Sequence, residues 1–336
     1  MPSPFCCLVR PAAILSTFSS SFCGLDFLSN QKQKIVVGIA RLAFWCFLLF
    51  CSDRLLFSSL YHGLNRYFGT DRQNEIVFIG NSRTALGVDH RLVESQTGRR
   101  CAKFALNGAN ASNRFAMVEH ILDTQGNCEA IVFDVSGYSF NDRNLSAAAY
   151  QLLYPYMNSP PIGNHISQKC KNRSEVFVRR LFWSSRFNST TLGLSIRGWF
   201  GRDDNLKFST VDLERVQRRI DNGKSQSLDA TSEGRQLFDD TVSLVSTRNC
   251  KIVLLHLPVI KMLNDQDRSR HDANVAIFRE CAEQSPNVYF LDYNTPYESR
   301  VDLLYDGIHL NAKGKEIISA EIAKELGKLL GDDSSH

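Results

Sequence analysis

The chain has 336 residues, 43% of them hydrophobic, and a formal charge of +4; that is room for about two domains, or one with appendages, around an ordinary core. The charge is spread along the sequence without a dominant basic block, and no RNA-binding or zinc-finger signature occurs, which argues against nucleic acid as a partner. The ten cysteines lack metal-ligand spacing, so no metal is expected, and Cys101, Cys128, Cys170, Cys250 and Cys281 read as small buried hydrophobes rather than a disulfide framework.

Residues 1–35 form an N-terminal segment carrying Arg10, Lys32 and Lys34. From Ile35 to Cys51 the only charge is Arg41, and Leu55-Leu56-Phe57 follows the Asp53-Arg54 pair. A spanning helix needs about 20 apolar residues, a length reached here if Arg41 snorkels, so a transmembrane helix is expected over 36–58. A buried or interfacial helix is the alternative. The preceding basic residues keep the N-terminus cytoplasmic and place the domain that follows, 59–336, outside: a single-pass protein of the cell membrane with an extracytoplasmic C-terminal domain. Residues 11–28 are apolar but rich in serine, with no convincing cleavage site after them, which favours an uncleaved anchor over a secretory signal.

Ile76-Val77-Phe78-Ile79 reads as a buried strand, and Gly80 is expected to turn the backbone sharply so that Ser82 sits at the carboxyl edge of a sheet. A helix over 84–97 ends near Gly98. A second strand, Cys101–Leu106, runs into the polar loop Asn107-Gly108-Ala109-Asn110-Ala111-Ser112, followed by a helix over 113–124 and a third strand, Ala130–Val135, ending at Ser136-Gly137-Tyr138. Strands and helices at these intervals imply right-handed crossovers and a parallel sheet.

The rhythm breaks over 138–249, an insertion with aromatic and basic clusters, the turn at Ser159-Pro160-Pro161, Asp203-Asp204, and helices expected around 176–182 and 211–220. Springing from the carboxyl edge, it is placed to cover or flank a site. Arg179-Arg180 and Arg218-Arg219 read as solvated faces, with contact to an anionic polymer as the alternative. The Asn-x-Ser/Thr triplets at Asn144, Asn172 and Asn188 are short enough to occur by chance. Order returns with a strand from Lys251 to His256, whose lone histidine reads as a core residue, then a helix over 272–284 and a fifth strand, Asn287–Asp292. Asn311 is the expected N-cap of a last apolar helix over 317–330.

A serine hydroxyl needs a base to take its proton, and the base needs an orienting acid. Asp306 and His309, three residues apart in the turn before the last helix, supply both for Ser82. The alternative is a plain helix-entry hydrogen bond. Ser82, Gly108, Ser136 and His309 all fall beyond the carboxyl ends of their strands, which is the main physical argument for a site.

Three blocks carry a resemblance to the SGNH (GDSL-like) hydrolases: Gly80-Asn81-Ser82 for the nucleophile, Asn107-Gly108 for the glycine block, and Asp306-Gly307-Ile308-His309 for the Asp-x-x-His block. The match covers roughly 74–137 and 250–329. It implies an α/β fold, a flavodoxin-like three-layer αβα sandwich on a five-stranded parallel sheet, with Ser82 as nucleophile, His309 as general base, Asp306 as its orienting acid and no cofactor. Arg83, beside the nucleophile, is the candidate substrate-binding cation. The Gly-Asn-Ser-Arg form, the His256-Leu257-Pro258 strand end and the N-terminal anchor look more like membrane-attached polysaccharide and teichoic-acid modification proteins than free lipases.

The sequence departs from the family where Gly-x-Asn-Asp is usual after the third strand: here stands Asp134-Val135-Ser136-Gly137-Tyr138. An oxyanion hole then rests on the N–H groups of Ser82 and Gly108, with Asn110 or Ser136 as side-chain donor; losing one such donor costs about a hundredfold to a thousandfold in rate. The resemblance implies an esterase or O-acyltransferase for an extracytoplasmic glycan, with a glycan or acyl ester as substrate and a membrane acyl-donor protein as partner. The alternative is a non-catalytic carbohydrate-binding or assembly subunit of a cell-envelope polysaccharide system that keeps the fold without turnover.

Overall fold

The computed structural model describes residues 15–126, 128–141, 145–202, 205–223 and 227–331, with side chains from residue 33 onward. Arg10, Asn144 and the Asp203-Asp204 pair lie outside these residues, as does the side chain of Lys32. The chain divides into two units, Met1–Leu56 and Phe57–His336. A long helix, α1 (Leu15–Phe68), begins in the first unit and ends in the second. Within it the segment Gln33–Phe68 is long and apolar enough to cross a membrane by length and composition.

The second unit is built on five parallel strands, β1 (Ile76–Gly80), β2 (Cys101–Ala105), β3 (Ala130–Val135), β4 (Lys251–His256) and β5 (Val288–Asp292), in the order β2-β1-β3-β4-β5. Ile76 pairs with both Cys101 and Ala130, Ala130 with Lys251, and Ile252 with Val288. β1, β2 and β3 are buried at every position, as expected of parallel strands covered on both faces, which read as continuous apolar runs.

The remaining helices are α2 (Ser82–Gly87), α3 (His90–Thr97), α4 (Ala111–Gln125), α5 (Pro160–Lys169), α6 (Arg173–Leu181), α7 (Ser189–Trp199), α8 (Leu213–Asp221), α9 (Ser232–Ser246), α10 (Lys261–Asn264), α11 (Arg268–Gln284), α12 (Asn294–Tyr297) and α13 (Ala312–Gly331). One sheet face presents Val77, Ile79, Phe104, Ile131, Phe133, Ile252 and Leu254 to Leu64 and Phe68 of α1, Met117 and Ile121 of α4, Phe238 of α9 and Phe278 of α11. The other presents Ile76, Phe78, Val132, Val253 and Leu255 to Val93 of α3 and Ile318, Ile322 and Leu326 of α13. This is the expected three-layer αβα sandwich. Each of these fully buried side chains contributes about 1.5–3 kcal/mol.

Two expectations are revised by local structure, and two asparagines gain a role. The single helix over 84–97 is two, because Val88 takes an extended conformation and Asp89 starts a new helix, its Oδ1 accepting from the N–H groups of Arg91 and Leu92. Gly80 is not among the glycines with positive φ; it is required for space, since a Cβ there would stand 2.0 Å from Thr84 Oγ1 and 2.9 Å from Asp134 Cβ. Asn172 and Asn188 are N-caps of α6 and α7, a use of asparagine that the triplet pattern does not reveal.

The insertion between β3 and β4 is tied into the second unit by α7. Ser195 Oγ donates to the carbonyl of Leu60 at 2.7 Å and Trp199 Nε1 to that of Ser59 at 3.0 Å. A Cβ on Gly198 would lie 1.8 Å from the Gly63 carbonyl oxygen, so α1 and α7 cross at backbone contact there.

Candidate active site

β1 ends at Gly80, and Asn81 caps α2 by accepting from the Arg83 N–H at 2.9 Å. The cap puts Ser82 in the first position of α2, at the carboxyl edge of the sheet, where open α/β folds hold their ligands. From the far end of the chain, the loop before α13 brings His309 Nε2 to 2.8 Å from Ser82 Oγ. His309 Nδ1 lies 3.0 and 2.9 Å from the two Asp306 carboxylate oxygens. The ionised carboxylate only accepts, so Nδ1 carries the proton and the neutral ring leaves Nε2 to accept from the serine hydroxyl.

The loop is held by its own acid. Asp306 Oδ1 also accepts from the N–H groups of Ile308 and His309, at 3.2 and 3.1 Å. Burial pushes the Asp306 carboxyl up, but the hydrogen bond and charge of His309, with these two amides, outweigh it and leave the group below its ordinary value. Asn311 begins α13 as expected, its Oδ1 accepting from the Gly314 N–H at 3.0 Å.

A small cavity of about 40 Å³ opens at the serine, lined by Asn81, Ser82, Arg83, Arg114, Ser136, Tyr138, Ser139, Asn141, Leu145 and Ile308. A larger hollow of about 840 Å³, lined among others by Asp89, Phe208 and Lys315, contains none of the three relay residues. Ser136 therefore shares this cavity with Ser82; its Oγ accepts from the Tyr138 N–H at 3.3 Å and lies 3.5 Å from Ser139 Oγ.

Gly108 occupies a left-handed turn after β2, with φ of 72°. Among the described residues, the backbone N–H of neither Ser82 nor Gly108 is taken by a carbonyl. Neither Gly108 nor Asn110 lines the cavity at the serine. Asn110 is the N-cap of α4, its Oδ1 accepting from the Asn113 N–H at 2.9 Å and from Ser112 Oγ at 3.1 Å.

Arg83, the expected substrate-binding cation, lines this cavity and is also tied to the sheet. Its guanidinium is buried against Asp134 of β3, one nitrogen donating to both carboxylate oxygens at 2.9 Å. Arg114 of α4, which the sequence did not single out, is also buried under the cavity; it donates to the Asp134 carbonyl at 2.5 Å and lies 5.0 Å from the Phe133 ring centre. Asn141 was missed as well, and its Nδ2 is held by the Asp229 carbonyl at 2.8 Å. The available signal was the Asn141-Asp142 pair, four positions after Gly137.

His256 is a core residue, as its setting in β4 suggested: it is 1% exposed, its Nδ1 is 3.1 Å from Asp292 Oδ1, and burial lowers its pKa. Among the described residues no group of His, Cys, Asp or Glu is arranged to hold a metal ion.

No family model matches the sequence, and no curated protein does. Solved structures similar to the chain include a catalytic mutant of an acetylxylan esterase from Geobacillus stearothermophilus (13% identity, 76% of this chain and 94% of that chain, TM-score 0.41). A GDSL-like lipase from Bacteroides thetaiotaomicron is similar at 11% identity (76% and 88%, TM-score 0.37). The C-terminal catalytic domain of peptidoglycan O-acetyltransferase A from Streptococcus pneumoniae is similar at 10% identity (76% and 93%, TM-score 0.35). The β2-β1-β3-β4-β5 sheet with helices on both faces is a flavodoxin-like, doubly wound α/β fold.

Proposed function

We propose that the chain is a membrane-anchored serine esterase or O-acyltransferase that acts on an extracytoplasmic glycan through an acyl-enzyme on Ser82. The observation that carries this reading is the unbroken relay from Ser82 Oγ through His309 to Asp306, with contacts of 2.8 and 2.9 Å. In this reading the serine oxygen attacks an ester carbonyl while His309 Nε2 takes its proton. Asp306 then faces the imidazolium that results, which lowers the cost of forming it. The N–H groups of Ser82 and Gly108, with Ser136 as the side-chain candidate, stabilise the oxyanion. Collapse of the tetrahedral intermediate expels the alcohol, which receives the proton from His309. A sugar hydroxyl or a water, deprotonated by the same histidine, then attacks the acyl-enzyme and frees the serine.

The apolar segment Gln33–Phe68 supports the anchor, and the basic residues before it favour an outward-facing domain. The test is p-nitrophenyl acetate turnover by the full chain in detergent. A burst of p-nitrophenol stoichiometric with enzyme, absent in Ser82→Ala, is expected; equal release by Ser82→Ala sinks the acyl-enzyme. A glycan added as acceptor separates transfer from hydrolysis, by the appearance of acylated sugar instead of free acid.

A further inference from the structure

A second cavity reaches the relay, and it is built differently from the one at the serine. About 230 Å³ in volume, it is lined by Thr210, Arg215, Arg219, Tyr305 and Asp306, with Ser209, Asp212 and Val216 completing it. Its wall is α8, which is seated by a single buried residue: Val216 is 4% exposed and belongs to the core beneath α13. Val216 also packs on the catalytic loop, since a Cβ on Gly307 would lie 3.3 Å from its Cγ2. The helix therefore rests on the turn that joins Asp306 to His309.

Arg215 and Arg219 are one helical turn apart and so project from neighbouring positions on the same side of α8. Both are exposed. Their neighbour Arg218 is 3.4 Å from Glu214 and 4.0 Å from Asp212, whereas among the described residues Arg215 and Arg219 form no ion pair. The acids in the lining are already engaged: Asp212 caps the Arg215 N–H at 3.0 Å and Asp306 binds His309. A third cation stands nearby, with Lys207 Nζ 5.5 Å from the Tyr305 ring centre. The hollow thus combines two guanidinium groups that form no ion pair among the described residues, a threonine hydroxyl and an aromatic ring, with the carboxylates of Asp212 and Asp306 in the same lining and Lys207 beside it. Planar guanidinium forks recognise carboxylate and phosphate oxygens, and an aromatic ring gives a sugar a flat apolar surface to lie against.

We infer that this cavity is a subsite for an anionic sugar unit of the substrate, in which Arg215 and Arg219 bind a carboxylate or phosphate group and Tyr305 meets the ring. The inference rests on the esterase or acyltransferase reading and narrows its substrate to an acidic glycan. Uncharged glycans leave both arginines without a partner.

The test uses the full chain in detergent, with three probes titrated calorimetrically: trigalacturonate for the carboxylate, a glycerol-phosphate oligomer for the phosphate, and xylotriose as the neutral sugar. Trigalacturonate or the phosphate oligomer is expected to bind, the tighter of the two naming the anion. In Arg215→Gln/Arg219→Gln its Kd should rise roughly tenfold or more, as for loss of a charge-assisted pair. Arg215→Lys/Arg219→Lys, which keeps the charge without the fork, should fall between. Binding should weaken with salt in the wild type and much less in the glutamine variant. Equal affinity in wild type and glutamine variant, xylotriose binding as tightly as the anions, or no binding of either anion, overturns the subsite. If that happens while the wild type still gives its p-nitrophenyl acetate burst, the esterase reading stands without it; a wild type with no burst removes both.

Discussion

Arg83, next in the chain to Ser82, and Asp134 form a buried ion pair, with the Asp134 side chain fully enclosed and that of Arg83 9% exposed. The pair joins the first turn of α2 to β3, so the residue after the serine is anchored to the sheet where it lines the cavity. Removing one partner from a buried pair leaves the other charge stranded and costs about 3–5 kcal/mol. Arg83→Met is therefore expected to lower the urea midpoint steeply, and Arg83→Met/Asp134→Leu to recover most of the loss. A variant that raises KM with an unmoved midpoint would return Arg83 to the substrate.

The relay predicts non-additive losses. Ser82→Ala and His309→Ala should each remove most of the esterase activity, and the double variant should lose little more, because the residues act as one unit. Asp306→Asn should cost less than either. Its carboxylate also has a stability signature: the folded pKa is lowered from the ordinary 3.8, so its contribution is complete above that value and is lost as pH falls through the lower folded value. The difference in unfolding free energy between wild type and Asp306→Asn should shrink below about pH 3.8. Multiplicative kinetic losses would break the unit apart.

Two histidines outside the site set a second pH dependence. His120 Nδ1 is 2.9 Å from Ser159 Oγ, and His165 Nε2 is 2.7 Å from Asn113 Oδ1, so each joins α4 to the insertion. Burial lowers both from 6.5 to about 4. Their neutral forms belong to the folded state, so the stability they contribute is complete above pH 6.5 and declines as pH falls to about 4. Urea midpoints measured across that interval should fall, and the fall should be smaller in His120→Gln/His165→Gln. An identical slope in the variant would locate the titration elsewhere.

Asn110 and Ser136, alternatives from the sequence, lead to different expectations, since Ser136 lines the cavity with Ser82 and Asn110 caps α4. Asn110→Ala should cost about 1 kcal/mol through the lost cap of α4 while kcat stays near that of the wild type. Ser136→Ala should lower kcat about tenfold or more with little change in KM, as for a contact made in the transition state. The reverse pattern would move the donor to α4.

The core strands and the relay were legible because each rests on local chemistry. Ile76–Ile79 is a continuous apolar run ending in Gly-Asn-Ser, and Asp306 and His309 are close enough in sequence to be seen as a pair. Arg83, Arg114 and Asn141 were not legible in their roles, since each is defined by a partner far along the chain: Asp134 for both arginines and Asp229 for the asparagine. Gly80 was read as a hinge because sequence shows what glycine permits; that it makes room for Thr84 and Asp134 is visible only once α2 lies on β3. Gly63 and Gly198 gave no signal at all, because neither follows a turn pattern and their contact joins α1 to the insertion.

That contact sets a steric limit. Gly198→Leu places a side chain where the Gly63 carbonyl stands, and overpacking of this kind costs about 1–3 kcal/mol or more. The variant should expose the insertion to limited proteolysis while the sheet keeps its protection. Unchanged cleavage would mean that α1 and α7 separate without consequence.

The span between Ser82 and His309 governs when the proposed relay can form. Ser82 and His309 are 227 positions apart, and the pairing of β3 with β4 must close the whole insertion before β5 and the catalytic loop have a surface to dock on. Distant contacts of this kind form late, after the entropy of loop closure has been overcome. During synthesis from the N-terminus, the serine emerges early as an ordinary hydroxyl, with no base within reach. On the proposed mechanism it would acquire its reactivity only when nearly the entire chain has been made and folded. On the same mechanism, truncated or misassembled copies would carry an unarmed serine, because the topology itself withholds the base until β5 and the loop before α13 are in place.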